Sequence, residues 1–418
     1  MKRYLLIIII CLVNGNYSFS QFSINKVLRD SIKDKEISFI IQDTPSAHYS
    51  MRQSNENCLS LYRFAINEIN NSFSNKYGTL AQLLLQSIFF LPLTHEEGHR
   101  SILTNADIGS ISRPYFNKNL AAYVTGVTDQ TLIDLRNNNL PVAVRVYTGG
   151  LESDFTLLLR ENSLINFGQE SMKVLWIEYF VRKFSLVSYY SLGLLKYNVN
   201  LKQESNELNR DIAGMDVYGA IRALYNPTMN FKRYIDYNDL LEPERQFVKR
   251  VGWRSLINLI DPTLFMGKSI KINNKTSLNF NLGYSMSPFG DFIDEHFWLK
   301  TNKLKTHFYF RQFQNKTNWF PAFGVDINDI RPFKNSYLEA AVHGWQQPTN
   351  LSFLETTGTF GGAIDLLFKY RFAILKKSSF SGISLNMGLI AKTKGFLPEE
   401  VEMNQHLGIR FGTSIWIK

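Results

Sequence analysis

The chain has 418 residues, of which 44% are hydrophobic and 20% are charged, so it has enough apolar side chains for a packed core and is not a disordered protein. With 46 basic and 36 acidic residues, the chain has a formal net charge of +10. The basic residues are dispersed along the sequence, which argues against a nucleic-acid-binding module. Aromatic residues make up 14% of the chain, and many fall late, as in proteins with aromatic girdles at a membrane surface.

The N-terminal residues 1–20 are typical of a secretory signal peptide. Two basic residues precede an apolar stretch, residues 5–13, which is too short for a permanent membrane helix. Export leaves Cys58 as the one cysteine of the mature chain. We therefore expect no internal disulfide.

The first chemical motif is HExxH, formed by His95, Glu96 and His99 in the segment LTHEEGHR. On a helix, residues i and i+4 lie on one face, so both imidazoles can bind one Zn²⁺ ion while Glu96 takes a proton from the bound water. In an alternative interpretation, Thr94 and Glu97 form a capping box at a helix start. The apolar flanks favour a buried site, where such polar groups need a metal or partners.

Four segments space their apolar residues three and four apart, which predicts helices. They are AQLLLQSIFFLPL, LPVAVRVYTGGLESDFTLLLREN, ESMKVLWIEYFVRKFSLVSYYSLGLL and KQESNELNRDIAGMDVYGAIRALYNP. The third is the most apolar but contains Glu178, Arg182 and Lys183. This composition favours a buried helix of a soluble domain over a membrane span.

A third zinc ligand must come from another segment, because a catalytic zinc ion needs three protein ligands and an open position for water. Glu152 is one candidate. Two glycines on its helix, Gly149 and Gly150, would allow close packing against the Gly98 side of the HExxH helix and bring Glu152 near the metal.

Glu207 is the other candidate. In ESNELNRDIAGMD, Glu207 and Asp211 are four residues apart and would share one face of a helix. The spacing NExxxD, together with HExxH, resembles the motifs of the thermolysin-like zinc peptidases, the gluzincins.

The gluzincin resemblance implies a role for each matching residue. It implies that Zn²⁺ is bound by His95, His99 and Glu207. It also implies that Glu96 is the general base and that Asp211 orients His95 by a hydrogen bond to its other ring nitrogen. The choice between Glu207 and Glu152 stays open, as does the donor that stabilises the transition state, with three candidates: Tyr147, Arg145 and Tyr218.

Beyond about residue 265 the apolar period becomes two, which predicts strands. In AIDLLFKYRF, for example, Ile364, Leu366 and Phe368 fall on one face, with Asp365 and Lys369 on the other. About eight such segments occur: SLNFNLGY, HFWLK, KTHFYFRQF, WFPAFGVDI, SYLEAAVHGW, AIDLLFKYRF, GISLNMGLIAK and GIRFGTSIWIK. Alternating strands, aromatic load and export favour an antiparallel membrane β-barrel over a soluble sandwich.

Together these features predict an α+β chain of three parts: a signal peptide (1–20), a mostly helical zinc-peptidase-like domain (21–262) and a membrane β-barrel (263–418). The predicted function is an outer-membrane-anchored zinc metallopeptidase that hydrolyses peptide bonds of envelope proteins or peptides. Its helical domain would lie in the periplasm, and lipid would surround the barrel. The alternative is a non-catalytic barrel protein whose N-terminal domain binds a partner, with zinc structural or absent.

Overall fold

The computed structural model describes residues 34–46, 49–72, 75–113, 122–198, 204–266, 269–373 and 380–417. The predicted signal peptide lies outside these ranges.

The N-terminal part of the chain is mainly helical, as predicted. The helices are α1 (Met51–Ser72), α2 (Asn75–Leu85), α3 (Leu91–Asn105), α4 (Asp129–Asn138), α5 (Leu140–Asn166), α6 (Met172–Ser191), α7 (Asp216–Tyr225), α8 (Glu242–Ser255) and α9 (Pro262–Met266). A π-helical turn, Gln86–Phe90, joins α2 to α3. Short 3-10 helices are Glu207–Asn209, Tyr237–Asp239, Leu256–Leu259 and Thr349–Leu351.

The strands of the described residues form two antiparallel sheets. The small one pairs β2 (Ile111–Arg113) with β3 (Tyr123–Thr125). The large one contains β1 (Lys35–Asp43), β4 (Ile270–Asn273), β5 (Thr276–Ser287), β6 (Gly290–Lys300), β7 (Lys305–Gln314), β8 (Trp319–Ile330), β9 (Ser336–Pro348), β10 (Gly358–Ala373), β11 (Phe380–Lys392) and β12 (His406–Ile417).

The large sheet has ten strands in the order β1-β12-β11-β10-β9-β8-β7-β6-β5-β4, so the chain has an α+β fold. All eight predicted strand segments fall on β5 to β12, except that Lys418, the last residue of the eighth, lies outside the described residues. The expected number was too low, because β4 and β1 also join. Strand β1 comes from the part predicted to be a separate helical domain, and it pairs with the C-terminal strand, Lys35 opposite Ile417. The edge strands β1 and β4 do not pair with each other in the described sheet.

The two faces of the sheet have the alternation that the sequence predicted. Apolar side chains such as Phe360, Leu385 and Phe411 are exposed on the outer face, whereas Asn279 and Lys369 are buried on the inner face. Over β10, β11 and β12 the sheet therefore exposes apolar side chains on its outer face and buries polar ones such as Lys369, Asn386 and Arg410 on its inner face.

The largest hydrophobic core cluster contains residues of both helices and sheet, so it crosses the domain boundary expected near residue 262. This cluster joins α5, α6, α7 and α8 to β5 and β6. Phe155 of α5, for example, packs edge-on against Phe292 of β6 with ring centroids 5.4 Å apart. The change of apolar period near residue 265 marks a change of secondary structure and not a boundary between cores.

By length and composition alone, one helix in the described ranges could cross a membrane. It is Tyr77–Asn105, which combines α2, the π turn and α3, and 39% of its most apolar window is buried. The core helix of a soluble protein can meet the same criteria.

Candidate metal centre

The HExxH motif lies within α3 and not at a helix start. The Thr94 hydroxyl donates back to the Phe90 carbonyl at 2.9 Å, inside a helix that continues from the π turn. Glu97 instead pairs with Arg100 and accepts a hydrogen bond from Ser112 at 2.5 Å. The capping-box interpretation was therefore wrong.

The two histidines of the motif converge on a carboxylate. Asp216 Oδ2 lies 3.2 Å from His95 Nε2 and 3.3 Å from His99 Nε2. Three ligand atoms at ordinary zinc distances in a tetrahedral arrangement lie about 3.3 Å from one another. The two Asp216 distances match this spacing, and in the described part of the chain these three residues form a group that could hold a metal ion.

The other ring nitrogens are already engaged. His95 Nδ1 lies 2.8 Å from Asp154 Oδ2, and His99 Nδ1 lies 2.6 Å from the Val146 carbonyl oxygen. A carbonyl can only accept, so His99 carries its proton on Nδ1, and the Asp154 carboxylate favours the same tautomer for His95. In their neutral form, both imidazoles therefore have a lone pair on Nε2 that can bind a metal.

Asp154 is itself fixed in place. Its other oxygen accepts a hydrogen bond from Arg182 of α6 at 2.5 Å, and the same guanidinium donates to the Thr94 hydroxyl at 2.9 Å. Arg182 and Asp154 are both buried. An ordered chain of contacts therefore runs from α6 through α5 to His95.

Glycines allow α3 and α5 to approach closely. A Cβ atom on Gly98 would lie 2.4 Å from the Gly149 carbonyl oxygen, and one on Gly150 would lie 2.5 Å from Nε2 of both His95 and His99. The predicted packing of Gly149 and Gly150 against Gly98 is confirmed. The missing side chain of Gly150 leaves open the space beside the two nitrogen atoms.

Glu152 does not reach this space in the structure. Both of its oxygens accept hydrogen bonds from Arg145, at 2.9 and 2.7 Å, and one also accepts from the Glu399 backbone N–H. On a helix, two residues correspond to a rotation of about 200°, so Glu152 projects away from the face on which Gly150 meets the histidines.

Glu207 was also not placed with the histidines. It lies in a 3-10 turn, where its carboxylate accepts a hydrogen bond from the Asp129 backbone N–H at 2.8 Å. The next residues are extended, and the Ile212 N–H donates to the Val124 carbonyl. The predicted helix face shared by Glu207 and Asp211 does not form, because ESNELNR has only one apolar residue to bury. Asp154, and not Asp211, holds His95.

Asp216 is the residue that the sequence analysis missed. It is the first residue of α7 and is buried. Burial alone would raise the pKa of Asp216, but His99 and His95 in their protonated form outweigh burial and hold it well below its ordinary value. The sequence signal was an acid directly before the apolar helical run VYGAIRALY, which marks a helix start and not a ligand.

Two further polar groups border the site. Burial and the carboxylates of Glu96 and Asp216 hold the pKa of Asp211 well above its ordinary value. The Tyr189 hydroxyl accepts a hydrogen bond from the Asp216 backbone N–H at 3.3 Å, and the Tyr189 ring is centred 5.8 Å from that of His95.

The three residues considered as transition-state donors lie in other contacts. Arg145 is bound to Glu152, and the Tyr147 ring packs against Gly219. The Tyr218 hydroxyl donates to the Tyr197 carbonyl at 3.1 Å. Tyr189 is therefore the better placed hydroxyl.

No protein-family model matches the chain, and comparisons with curated proteins and with solved structures find no significant match. The gluzincin resemblance consequently rests on the two short motifs, and NExxxD does not form the helix that the resemblance requires.

Proposed function

We propose that the chain is a zinc metallopeptidase anchored in the outer membrane, which hydrolyses peptide bonds of envelope proteins or peptides. The observation that carries the proposal is the convergence of His95 Nε2, His99 Nε2 and Asp216 Oδ2 beside the glutamate of HExxH. This ligand set departs from the gluzincin one, because an aspartate takes the place of the glutamate.

The number of ligands favours catalysis over a structural role. Structural zinc sites usually have four protein ligands, whereas catalytic sites have three and leave one position for water. The group in the described residues has three members, and the His95 side chain retains 14% of its exposure. When bound, Zn²⁺ would lower the pKa of a water molecule and polarise the substrate carbonyl.

The protein groups have separate tasks in this proposal. Glu96 accepts the proton of the attacking water and passes it to the leaving amine. Tyr189 donates a hydrogen bond to the carbonyl oxygen as negative charge develops there. Asp154, held by Arg182, fixes the orientation and tautomer of His95.

The outer-membrane location is supported by the polarity of the sheet. Large apolar side chains are exposed along β10, β11 and β12, while the opposite faces bury lysine, arginine and asparagine. A wall that faces lipid requires this distribution, whereas a soluble sheet would reverse it. Anchoring in this membrane would confine the substrates to the envelope.

The test compares the full-length wild-type protein with Glu96→Gln, measuring zinc content and cleavage of casein. We expect both to bind zinc stoichiometrically and only the wild type to cleave. Removal of zinc with a chelator should abolish cleavage, and added zinc should restore it. If both proteins bind zinc, neither cleaves, and both complement a deletion strain, the peptidase proposal is wrong and the partner-binding alternative stands.

A further inference from the structure

Exposed apolar residues are not confined to the strands. They also cover one side of α1, α2 and the π turn: Leu61, Phe64, Tyr77, Leu80, Leu84, Ile88 and Phe89. Residues 77–94 contain no aspartate, glutamate, lysine or arginine. We call this set of seven exposed side chains the helical apolar face. A water-exposed helix would carry charged residues in these positions.

Two ion pairs of the same bundle are buried, although Glu68 of α1 is exposed. Arg63 of α1 donates to Glu170 at 3.1 Å, and Arg182 of α6 donates to Glu178 at 2.7 Å. All four side chains are at most 2% exposed. A soluble helical bundle usually exposes its charged residues and buries its large apolar ones. Buried ion pairs together with exposed large apolar residues are instead the arrangement expected next to hydrocarbon.

Side chains of α1 also form hydrogen bonds with backbone groups at the open edge of β1. The Asn57 side-chain amide accepts a hydrogen bond from the Ile40 N–H at 2.8 Å and donates to the Ile40 carbonyl at 2.9 Å. The Ser60 hydroxyl donates to the Ser38 carbonyl at 2.5 Å. Side chains of α1 thus form the hydrogen bonds that a neighbouring strand would otherwise form with β1.

The edge of β5 that extends beyond β4 is covered in the same way. Asn258 accepts from the Tyr284 N–H at 3.0 Å and donates to the Tyr284 carbonyl at 3.1 Å. The Met286 N–H donates to the hydroxyl of Tyr190 in α6 at 3.2 Å. Backbone groups in hydrocarbon must be satisfied within the protein, and the helical part of the chain does this for the groups of β1 and β5 named above.

Helix α5 runs along the strands, since its two ends contact opposite ends of the sheet. At the N-terminal end of α5, Arg145 donates to the Val401 carbonyl, in the segment between β11 and β12. At the C-terminal end, Asn166 accepts from Asn279 of β5. A helix of this length spans about 40 Å, comparable to the thickness of a bilayer with its interfaces.

We propose that α1, α2 and the π turn form part of the membrane-embedded wall, and that the helical apolar face contacts lipid acyl chains in the gap between β1 and β5. This inference rests on the proposed membrane location of the sheet and replaces the expected periplasmic position of the helices. Phe89 precedes His95 by six residues, about 9 Å along a helix. The metal centre therefore lies close to the lipid.

Spin labels at three positions test the proposal. The labels are attached to Leu84→Cys on the helical apolar face, Leu385→Cys on the outer face of β11 and Lys249→Cys on α8. Each variant is full-length protein that also carries Cys11→Ala and Cys58→Ser, so that it has one cysteine. All three parent side chains are exposed, so the labels should not disturb the core. Collision rates with oxygen, which concentrates in lipid, and with a water-soluble nickel complex are measured in phosphatidylcholine vesicles.

We expect the oxygen-to-nickel ratio to be several-fold higher at positions 84 and 385 than at position 249. A high ratio at 385 with a low one at 84 would overturn the inference while leaving the membrane-anchored sheet intact. Low ratios at both positions would overturn the membrane location itself. Protection of position 84 from both reagents would show that protein, such as a second copy of the chain, covers the face, and would also overturn the inference.

Discussion

Two histidine pairs in this protein differ in how their ring nitrogens are used. In α3, the Nδ1 atoms of His95 and His99 are bound to Asp154 and to a carbonyl, and both Nε2 atoms face Asp216. On the inner face of the sheet, His296 and His307 instead form a linear chain. His296 Nδ1 lies 3.0 Å from His307 Nε2, and His307 Nδ1 lies 2.7 Å from Asp326.

The difference shows that proximity of histidines and carboxylates does not make a metal centre. The sheet pair even borders a cavity of about 310 Å³, which Lys369 and Arg410 also line. In that pair, however, the ring nitrogens of His307 bind neighbours on opposite sides, so no group of lone pairs converges. Convergence in α3 depends on the fixed Nδ1 atoms and on the space left by Gly150.

The largest expected effect concerns Glu96. Glu96→Gln should lower the cleavage rate by roughly 10²- to 10⁴-fold, because the amide cannot accept the proton of the attacking water. Zinc content should be unchanged. Glu97→Gln is the matched control, since Glu97 binds Arg100 and Ser112, and it should keep most of the activity. Equal rates for both variants would contradict the role of Glu96.

The second prediction compares Asp216, beside the histidines of α3, with Asp326, beside the histidine pair of the sheet. Asp216→Ala should weaken zinc binding by more than the roughly 100-fold that follows loss of a supporting residue, because it removes a ligand. Asp326→Ala should leave zinc affinity unchanged. Titration with zinc in a competing chelator measures both. Wild-type affinity in Asp216→Ala would show that another residue is the third ligand.

Gly150→Ala tests whether zinc binding requires the space beside the Nε2 atoms of His95 and His99. The new methyl group would lie 2.5 Å from both Nε2 atoms, so zinc binding should fall about as far as in Asp216→Ala, although every ligand is retained. Gly109→Ala is the control, because a Cβ atom there meets nothing within 4 Å. Zinc content by mass spectrometry decides the comparison. Normal zinc content in Gly150→Ala would mean that the metal lies on another side of the imidazoles.

Asp154→Asn should have a smaller effect. An asparagine can still contact His95 Nδ1, but it loses the charge that strengthens the imidazole as a ligand and pairs with Arg182. We expect zinc affinity to fall roughly 10- to 100-fold, as for other residues that support a metal ligand. An unchanged affinity would show that Asp154 serves only to pair Arg182.

The smallest effect on the metal is expected from His307→Gln. It should leave zinc content and cleavage unchanged and cost about 1–3 kcal/mol of stability, because hydrogen-bond partners in the sheet interior are left unsatisfied. The midpoint of thermal unfolding measures the change. Loss of zinc in this variant would mean that the two clusters are coupled.

The sequence predicted the eight central strands because their alternation is regular. It did not predict β1, KEISFIIQD, because a bulge between Ile40 and Gln42 breaks the alternation and three apolar residues follow one another. The sequence also could not show that this strand pairs with the C-terminal one. Pairing over such a separation is decided by packing and leaves no local signal.

For the candidate site, the helical spacing of His95, Glu96 and His99 and the close approach of Gly98 and Gly149 followed from local patterns. The third ligand did not. Glu207 has the better motif, but its segment is too polar to form the helix on which the motif depends. Asp216 has no motif, yet α7 carries it to the histidines.

The sequence by itself determined the elements whose signal is a short period: the helix with HExxH, the glycine contact beside it, and strands with an apolar outer face. Those periods arise from backbone geometry, which each segment carries on its own. Only the tertiary structure decided which carboxylate meets the histidines, that β1 closes onto β12, and that helices cover the edges of the sheet. Each of these depends on contacts between residues far apart in the chain, which no local pattern encodes.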